Sequence, residues 1–516
     1  MTEVESSVDL GDKSLWGGRR HRSQRRKQAY HEFIRNVPDV PIWPTLLWSL
    51  FLSVLNVANP LLSSFATNLQ SQALYAGMAM QAGHKPYEYF FGTNGVLYYL
   101  ILAVGSLFNT TIGLMIFQFI ALLIAGIYLN KISAYFSRSQ RVAHHINFWF
   151  YCFLLVVDLG GLYASIFALP FVLTSIWFLI RYINDAVSDE GFILYGIDAA
   201  IVFMIYPKSL ILWLVSPLVL FVYNSRNKRL ARGVYQFLAA VFGFLLVVYT
   251  VGYYTFIEQI LGMAIQQTFL YNISLQFTYE GILMTLAVVF GFLLISGFLN
   301  HILITLLSIS KGQQTEIKLI MLLAFLVQMV FLIGNPNFEW SQLTALIPYG
   351  FVLAAASLHG PETDEEFEML DEEENEDYSY LKASYYLPIL MLLALFFQPT
   401  YAYLFEEPVR VERQEIARYI RDNTTSDDPI YAWDNSAQAY LESQRFSSAN
   451  LITAQPYLNT EDNRNNLIYD LNQGRAKYIL VNTELPLLEQ VSATLEDNYV
   501  PVQLSFNHFK LYQEKE

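Results

Sequence analysis

From Ile42 to Tyr403 the chain is a succession of apolar runs separated by short polar gaps. A helix needs roughly 20 apolar residues to cross a hydrocarbon layer about 30 Å thick, and runs near that length recur throughout this region. In lipid every backbone N–H and C=O must be satisfied within the segment, so repeated apolar runs without a two-residue alternation predict a polytopic α-helical membrane protein. Spans are expected at 42–62, 112–129, 146–160, 162–182, 191–206, 209–223, 234–255, 281–306, 318–334, 341–358 and 384–403, eleven in all.

Charge sets the direction of threading. The polar tail 1–41 carries Lys13, Arg19, Arg20, Arg22, Arg25, Arg26 and Lys27 beside the first span, which reads as a cytoplasmic topology signal rather than a nucleic-acid arm. That first span follows a long polar tail and exceeds a signal-peptide core, so it is expected to stay as an anchor. Gly95 to Phe108 is apolar but short. Counting it as a span puts Lys131, Arg138, Arg141, His144 and His145 outside, against the positive-inside tendency. It is therefore expected to lie on the outer surface as an interfacial helix within an external loop 65–111. Arg226, Lys228, Arg229 and Arg232 then fall inside, as does the acidic loop 359–381, and the segment 404–516 falls outside.

After Tyr403 the pattern changes. Gln414 to Asp422 and Pro486 to Asp497 read as helices, while Pro429 to Trp433, Lys477 to Val481, Val500 to Ser505 and His508 to Tyr512 read as strands. Such alternation predicts a small extracytoplasmic α/β domain over 404–516, joined to a transmembrane domain over 42–403. It carries no Gly-rich phosphate loop, nucleophile elbow or metal-ligand spacing.

Composition agrees with a lipid solvent: 54% of residues are hydrophobic and 15% charged, against about 25% charged in soluble domains. The net charge of −14 comes largely from Glu362 to Asp377, a solvated loop, so it implies no basic partner. Cys152 is the single cysteine, which excludes an intrachain disulfide and any cysteine-cluster metal site. No cofactor is expected. A divalent-metal requirement is not legible.

The stretch 83–108 opens Gly-His-Lys-Pro-Tyr-Glu-Tyr-Phe-Phe-Gly and runs on through an apolar segment to Leu107 and Phe108. It resembles the first external loop of the GT-C superfamily of lipid-linked-sugar glycosyltransferases, in particular bacterial relatives of protein mannosyltransferase and aminoarabinose transferase. There a G-x-x-P-Y-x-D segment precedes a K-G-P or K-P-P turn and an amphipathic helix ending in L-F-G. Gly83, Pro86, Tyr87, Gly95, Leu107 and Phe108 match, and Glu88 sits close to the acidic position. Tyr206-Pro207-Lys208-Ser209 resembles the K-G or K-G-P turn between two later spans.

The resemblance implies a GT-C-like fold of about eleven helices in the cell membrane. It also implies transfer of a sugar from a polyprenyl-phosphate donor to an extracytoplasmic cell-wall glycan or teichoic-acid-like acceptor. One departure stands out: the family places an Asp after its first span, whereas residues 67–72 here are Thr-Asn-Leu-Gln-Ser-Gln, and no acid lies between Asp39 and Glu88.

Such a transfer needs a carboxylate to take the acceptor's proton and a cation for the departing phosphate. Glu88 and Asp158 are the expected catalytic carboxylates, with Asp198 a weaker candidate, and Lys208, supported by Lys85 and His84, is the expected phosphate contact. Trp340 and Gln342 open the tenth span, where relatives hold polar acceptor contacts. The alternative is a non-catalytic protein of the same fold that binds, transports or assembles lipid-linked glycans.

Overall fold

The structure, a computed structural model, describes residues 40–158, 160–273, 279–309, 314–335, 337–358, 402–473, 476–504 and 506–515, with Leu387, Leu390 and Leu393. The basic tail up to residue 39, the acidic loop and nearly all of the expected span 384–403 lie outside these residues.

The membrane part is helical, as its apolar runs require. In order come α1 (Ile42–Val54), α2 (Asn68–Gln81), α3 (Val96–Gly105), α4 (Ile112–Ser137), α5 (Gln140–Asp158), α6 (Ala164–Ile183), α7 (Phe192–Ile205), α8 (Ile211–Arg226) and α9 (Leu230–Ile257). A short α10 (Leu261–Ile265) runs into a π-turn, Gln266–Leu270. Then follow α11 (Tyr279–Ser296), α12 (Phe298–Ser308), α13 (Thr315–Ile333) and α14 (Ile347–Ser357). Among the described residues five helical segments are each long and apolar enough to cross a membrane, or six if α11 and α12 form one bent span. The expected short apolar helix after Gly95 is present as α3, with Val96, Tyr98, Tyr99 and Leu102 buried.

Two expected spans are corrected. The first ends at Val54 rather than Leu62, because the Asn56 and Asn59 side chains accept the Ala58 and Leu61 amides (2.9 and 3.1 Å) and turn the chain out of the helix. The expected span 281–306 is broken, with a bend of 77° between its halves. Gly297, at φ 74°, makes the break, and the Ser296 hydroxyl accepts the Phe298 amide.

The helices meet through small residues and aromatic rings. A Cβ on Gly196 would lie 1.8 Å from the Ala240 carbonyl oxygen, and one on Gly243 would lie 2.1 Å from that of Ile193. The backbones of α7 and α9 therefore touch, the close approach that small residues permit between membrane helices. The outer face of α9, with Phe242, Leu246, Tyr249 and Tyr253, is exposed and apolar. Opposite it, α14 is buried along its length and forms the interior of the bundle.

Helix α15 (Glu407–Asp422) leads into the soluble part: β1 (Ile430–Trp433), α16 (Gln438–Ser443), α17 (Glu461–Gln473), β2 (Tyr478–Asn482), α18 (Glu489–Asn498), β3 (Tyr499–Pro501) and β4 (Phe509–Glu514). The sheet order is β1-β2-β4-β3, with β1 and β2 parallel and the other pairs antiparallel. Arg413 of α15 pairs with the fully buried Asp434 (Nε to Oδ2, 2.5 Å), and the Asn482 amide donates to the same carboxylate at 2.9 Å. A buried acid held by a cation and an amide thus ties α15 to the sheet.

Candidate functional site

Where the membrane and soluble parts meet, eight segments line a partly open cavity. They are the start of α2, the loop around Phe90 to Asn94, Tyr98 and Tyr99 of α3, Tyr163 to Ser165 at the start of α6, the turn between α7 and α8, Tyr271, the loop between α13 and α14, and residues around Ile452 to Tyr457 of the soluble part.

Each segment is fixed by local chemistry. Thr67 and Gln70 form a capping box at the start of α2, and the Gln70 amide also donates to the Gly161 carbonyl at 2.7 Å. The amides of Asn68 and Gln72 reach the soluble part, donating to the Gln455 carbonyl (2.8 Å) and the Thr453 hydroxyl (2.9 Å). The Ser71 hydroxyl accepts the Ala437 amide and the Tyr75 hydroxyl accepts that of Ser447. In the loop before α3, Gln267 from the π-turn accepts the Gly92 amide and donates to the Tyr87 carbonyl. Gly95 is pressed onto the end of α7: a Cβ there would lie 2.2 Å from Met204 backbone atoms, and its amide donates to the Ile205 carbonyl at 3.1 Å. Tyr206-Pro207-Lys208-Ser209 is a single tight turn, with proline at its first position.

Two ionic side chains face the cavity, Lys208 from that turn and Glu339 from the loop before α14. They lie close enough to act on each other electrostatically, but neither forms an ion pair or side-chain hydrogen bond with a described residue. Burial raises the Glu339 carboxyl to about 7, against the opposing pull of the Lys208 ammonium. The rest of the lining is aromatic and polar, including Tyr98, Tyr163, Tyr206, Tyr271 and Tyr457. Amide bonds hold the Glu339 loop: Asn335 donates to Gln342 at 2.6 Å and Asn337 to the Tyr271 hydroxyl at 2.8 Å. Among the described residues no group of three or more His, Cys, Asp or Glu is placed to hold a metal ion.

The sequence-derived candidates are dispersed around this cavity. Lys208 lines it, and so does Gln342, whereas Trp340 is 40% exposed. Asp158 is buried just behind the wall, near enough to Tyr98 and Tyr163 to act on their phenols, and its Oδ1 has no hydrogen-bond partner among the described residues. Glu88 is exposed and outside the lining; its backbone carbonyl, not its carboxylate, receives a hydrogen bond from Asn450 at 2.7 Å. Lys85 pairs with Glu258 at 3.2 Å. The His84 ring packs between Tyr89 and Phe446, with centroids 4.3 and 4.4 Å away, and partial burial lowers its pKa. Asp198 accepts hydrogen bonds from Thr174 and Ser175 of α6, each 3.0 Å. Sequence reasoning passed over Glu339 and the tyrosines. The signal for the former was an acid between Asn337 and Trp340 at the mouth of a span.

Behind the Asn94–Gly95 wall an apolar groove runs between α9 and α10, with about 1240 Å³ of empty space. Val248, Tyr249, Gly252 and Phe256 form one side and Leu261, Ala264, Ile265 and Phe269 the other. Tyr87 and Thr268, which both donate to the Asn94 carbonyl, separate it from the cavity.

Comparison with known proteins places this architecture. ArnT from Cupriavidus metallidurans, in a crystal structure bound to undecaprenyl phosphate, superposes with a TM-score of 0.58 over 91% of this chain and 97% of that one, at 12% identity. The fold is therefore GT-C-like, that of a polytopic membrane protein. No curated protein sequence matches the chain. Family models do: that of the competence-induced Ccs4 N-terminal domain matches residues 31–407, and that of the Ccs4 C-terminal domain residues 410–515. The chain belongs to the Ccs4 family.

Proposed function

We propose that this protein is a membrane glycosyltransferase that takes a sugar from a polyprenyl-phosphate donor and passes it to an extracytoplasmic cell-wall glycan or teichoic-acid-like acceptor. The observation that carries the reading is the pair Lys208 and Glu339, an ammonium and a carboxylate lining one partly open cavity without pairing to each other. Opposite charges left apart in a partly dry site leave room for a ligand that meets both.

In this reading the polyprenyl chain lies in the apolar groove beside α9, and the Tyr87 and Thr268 bonds to Asn94 open to let its phosphate reach Lys208. The undecaprenyl phosphate bound by ArnT supports a ligand of this class. Glu339 accepts the acceptor hydroxyl's proton as that oxygen attacks the anomeric carbon. The anomeric carbon–phosphate oxygen bond breaks, and Lys208 stabilises the charge that develops on the polyprenyl phosphate. The tyrosines offer flat faces to the sugar and exclude water. Tyr98 and Tyr163 are held by the Leu162 carbonyl and the Thr67 hydroxyl, and Asp158 lies behind them without touching the ligand. The exposed Glu88 takes no part, and Lys85 and His84 hold the loop in place through Glu258, Tyr89 and Phe446.

One observation favours the non-catalytic alternative: the start of α2, where relatives carry an acid, holds amides that bind the soluble part. Mass spectrometry of envelope glycans from a deletion strain separates the two. Loss of one sugar substituent is expected, restored by the wild-type chain but not by Glu339→Gln or Lys208→Ala at equal membrane abundance. Full restoration by Glu339→Gln would leave the non-catalytic reading standing.

A further inference from the structure

Six tyrosines among the described residues line the cavity, and five of their hydroxyls are already engaged. Tyr98 donates to the Leu162 carbonyl at 2.7 Å, and the Tyr163 and Thr67 hydroxyls share a bond of 2.9 Å. Tyr271 donates to the Asn459 side chain at 2.7 Å and accepts from Asn337 at 2.8 Å. Tyr99 meets the Asn94 backbone and Tyr457 the Thr93 hydroxyl. Tyr206 is different: it is only 8% exposed, yet its hydroxyl has no hydrogen-bond partner among the described residues. A buried hydroxyl without a partner is destabilising unless a ligand or water completes it.

The backbone fixes where this hydroxyl is offered. Tyr206 closes α7, leaving helical geometry at φ −141° and ψ 88° while its amide still donates to the Val202 carbonyl at 2.7 Å. Pro207 follows, and the Ser209 and Leu210 amides donate to the Tyr206 and Pro207 carbonyls, each at 3.0 Å. One tight turn therefore holds Tyr206 and Lys208 with a single proline between them, and both side chains line the same cavity. The phenol also lies near enough to Glu339 to feel its charge, without bonding to it. A cation and a neutral O–H donor are thus presented side by side. A phosphodiester carries one negative charge, whereas the monoester released by transfer carries about 1.5 to 2. Lys208 answers that rise only in part, because burial lowers its ammonium to about 8. A phenol ordinarily titrates near pH 10 and keeps its proton.

We propose that the Tyr206 hydroxyl is a further catalytic residue of the transfer, donating a hydrogen bond to the donor's phosphate beside Lys208. The inference rests on the reading of this cavity as a polyprenyl-phosphate site. As the anomeric carbon–oxygen bond breaks, its electron pair passes to the phosphate oxygen, and the hydrogen bond strengthens with the charge it meets. The phenol keeps its proton throughout. Lys208 supplies the charge and Tyr206 a second, directional donor.

The test is native mass spectrometry of the full chain in detergent, titrated with undecaprenyl phosphate or with undecaprenol, which has the same chain and no phosphate. The wild type is expected to retain the phosphate far more strongly. Tyr206→Phe, which removes one oxygen and keeps the ring, is expected to lower that preference by about tenfold. Retention of undecaprenol and the melting temperature of the lipid-free chain should stay unchanged, whereas a structural role would move both. In cells the same variant should lower sugar incorporation by about tenfold or more at equal membrane abundance, with the midpoint of its pH dependence unmoved. An undiminished phosphate preference in Tyr206→Phe, beside a lost one in Lys208→Gln, would overturn this assignment and leave the transferase reading standing. Equal retention of the two lipids by the wild type would overturn both. A raised pH midpoint in Tyr206→Phe with the preference intact would give the hydroxyl to Glu339 and overturn the phosphate contact.

Discussion

If Glu339 is the general base, its protonation governs the rate, and the cavity determines where on the pH scale this happens. Burial raises its carboxyl to about 7, with Lys208 pulling the other way. The remaining groups around it, Tyr163, Tyr206 and Tyr457, are phenols that ordinarily titrate near pH 10 and stay neutral in this window. A base works when deprotonated, so activity rises with pH. The carboxylate fraction goes from about 0.1 at pH 6 to about 0.9 at pH 8, but burial lowers the Lys208 ammonium to about 8, so about half of it is lost by pH 8 and transfer should rise only about fivefold between them. Glu339→Gln removes this limb and lowers the rate by about 10² to 10⁴. Lys208→Gln has a different signature: without the cation the carboxylate is less favoured, its pKa climbs, and the limb moves to higher pH while donor use weakens. The measurement is sugar incorporation into envelope glycan by cells buffered externally from pH 6 to 8, read by mass spectrometry for the three chains. A flat profile in the wild type, or a Glu339→Gln chain that keeps the limb, would refute the assignment.

Three further outcomes follow from the packing and the threading. Gly243→Leu drives a side chain into the Ile193 backbone, so overpacking should cost about 1 to 3 kcal/mol or more and lower the melting temperature in detergent, whereas Gly252→Leu, with open space around its Cβ position, should not. Arg413→Ala leaves Asp434 buried without its cation, a loss of about 3 to 5 kcal/mol that should appear as rapid proteolysis between α15 and β1 with the membrane part intact. On a Cys152→Ser background, cysteines at Glu88 and Tyr469, both exposed, should react with an impermeant thiol reagent in intact cells, and cysteines at Arg138 and Lys228 should react only after lysis. Labelling of Lys228→Cys in intact cells would reverse the threading.

What could be read in advance followed the reach of each signal. Apolar runs predicted helices because lipid leaves the backbone no other partner, and Lys208, singled out as a cation beside proline between two runs, lies on the cavity wall. Turn chemistry inside an apolar run was harder to see. The Asn56 and Asn59 side chains end α1 early, and Gly297 splits a run that hydropathy alone reads as continuous. Strands β1 and β2 showed as short apolar runs buried at every position, and β4 through its alternation. Helices α16 and α17 did not, since α16 is only six residues long and α17 buries only three of its thirteen. Charged loop residues were read by position, yet what they do depends on partners far away in sequence. Lys85 is taken by Glu258 and His84 by Phe446. Glu339 becomes a cavity group only once α7, α14 and the soluble part converge.

The start of α2 carries a consequence for anyone who rearranges this molecule. Asn68, Ser71, Gln72 and Tyr75 bond to Gln455, Ala437, Thr453 and Ser447, so one helical surface both walls the cavity and seats the soluble part over it. The two parts are therefore not interchangeable modules. A chimera that takes residues 404–516 from a relative must bring that relative's α2 as well. Grafted alone, the new lid would meet the wrong partners at Asn68 and Gln72 and rest ajar, leaving the cavity wider to water.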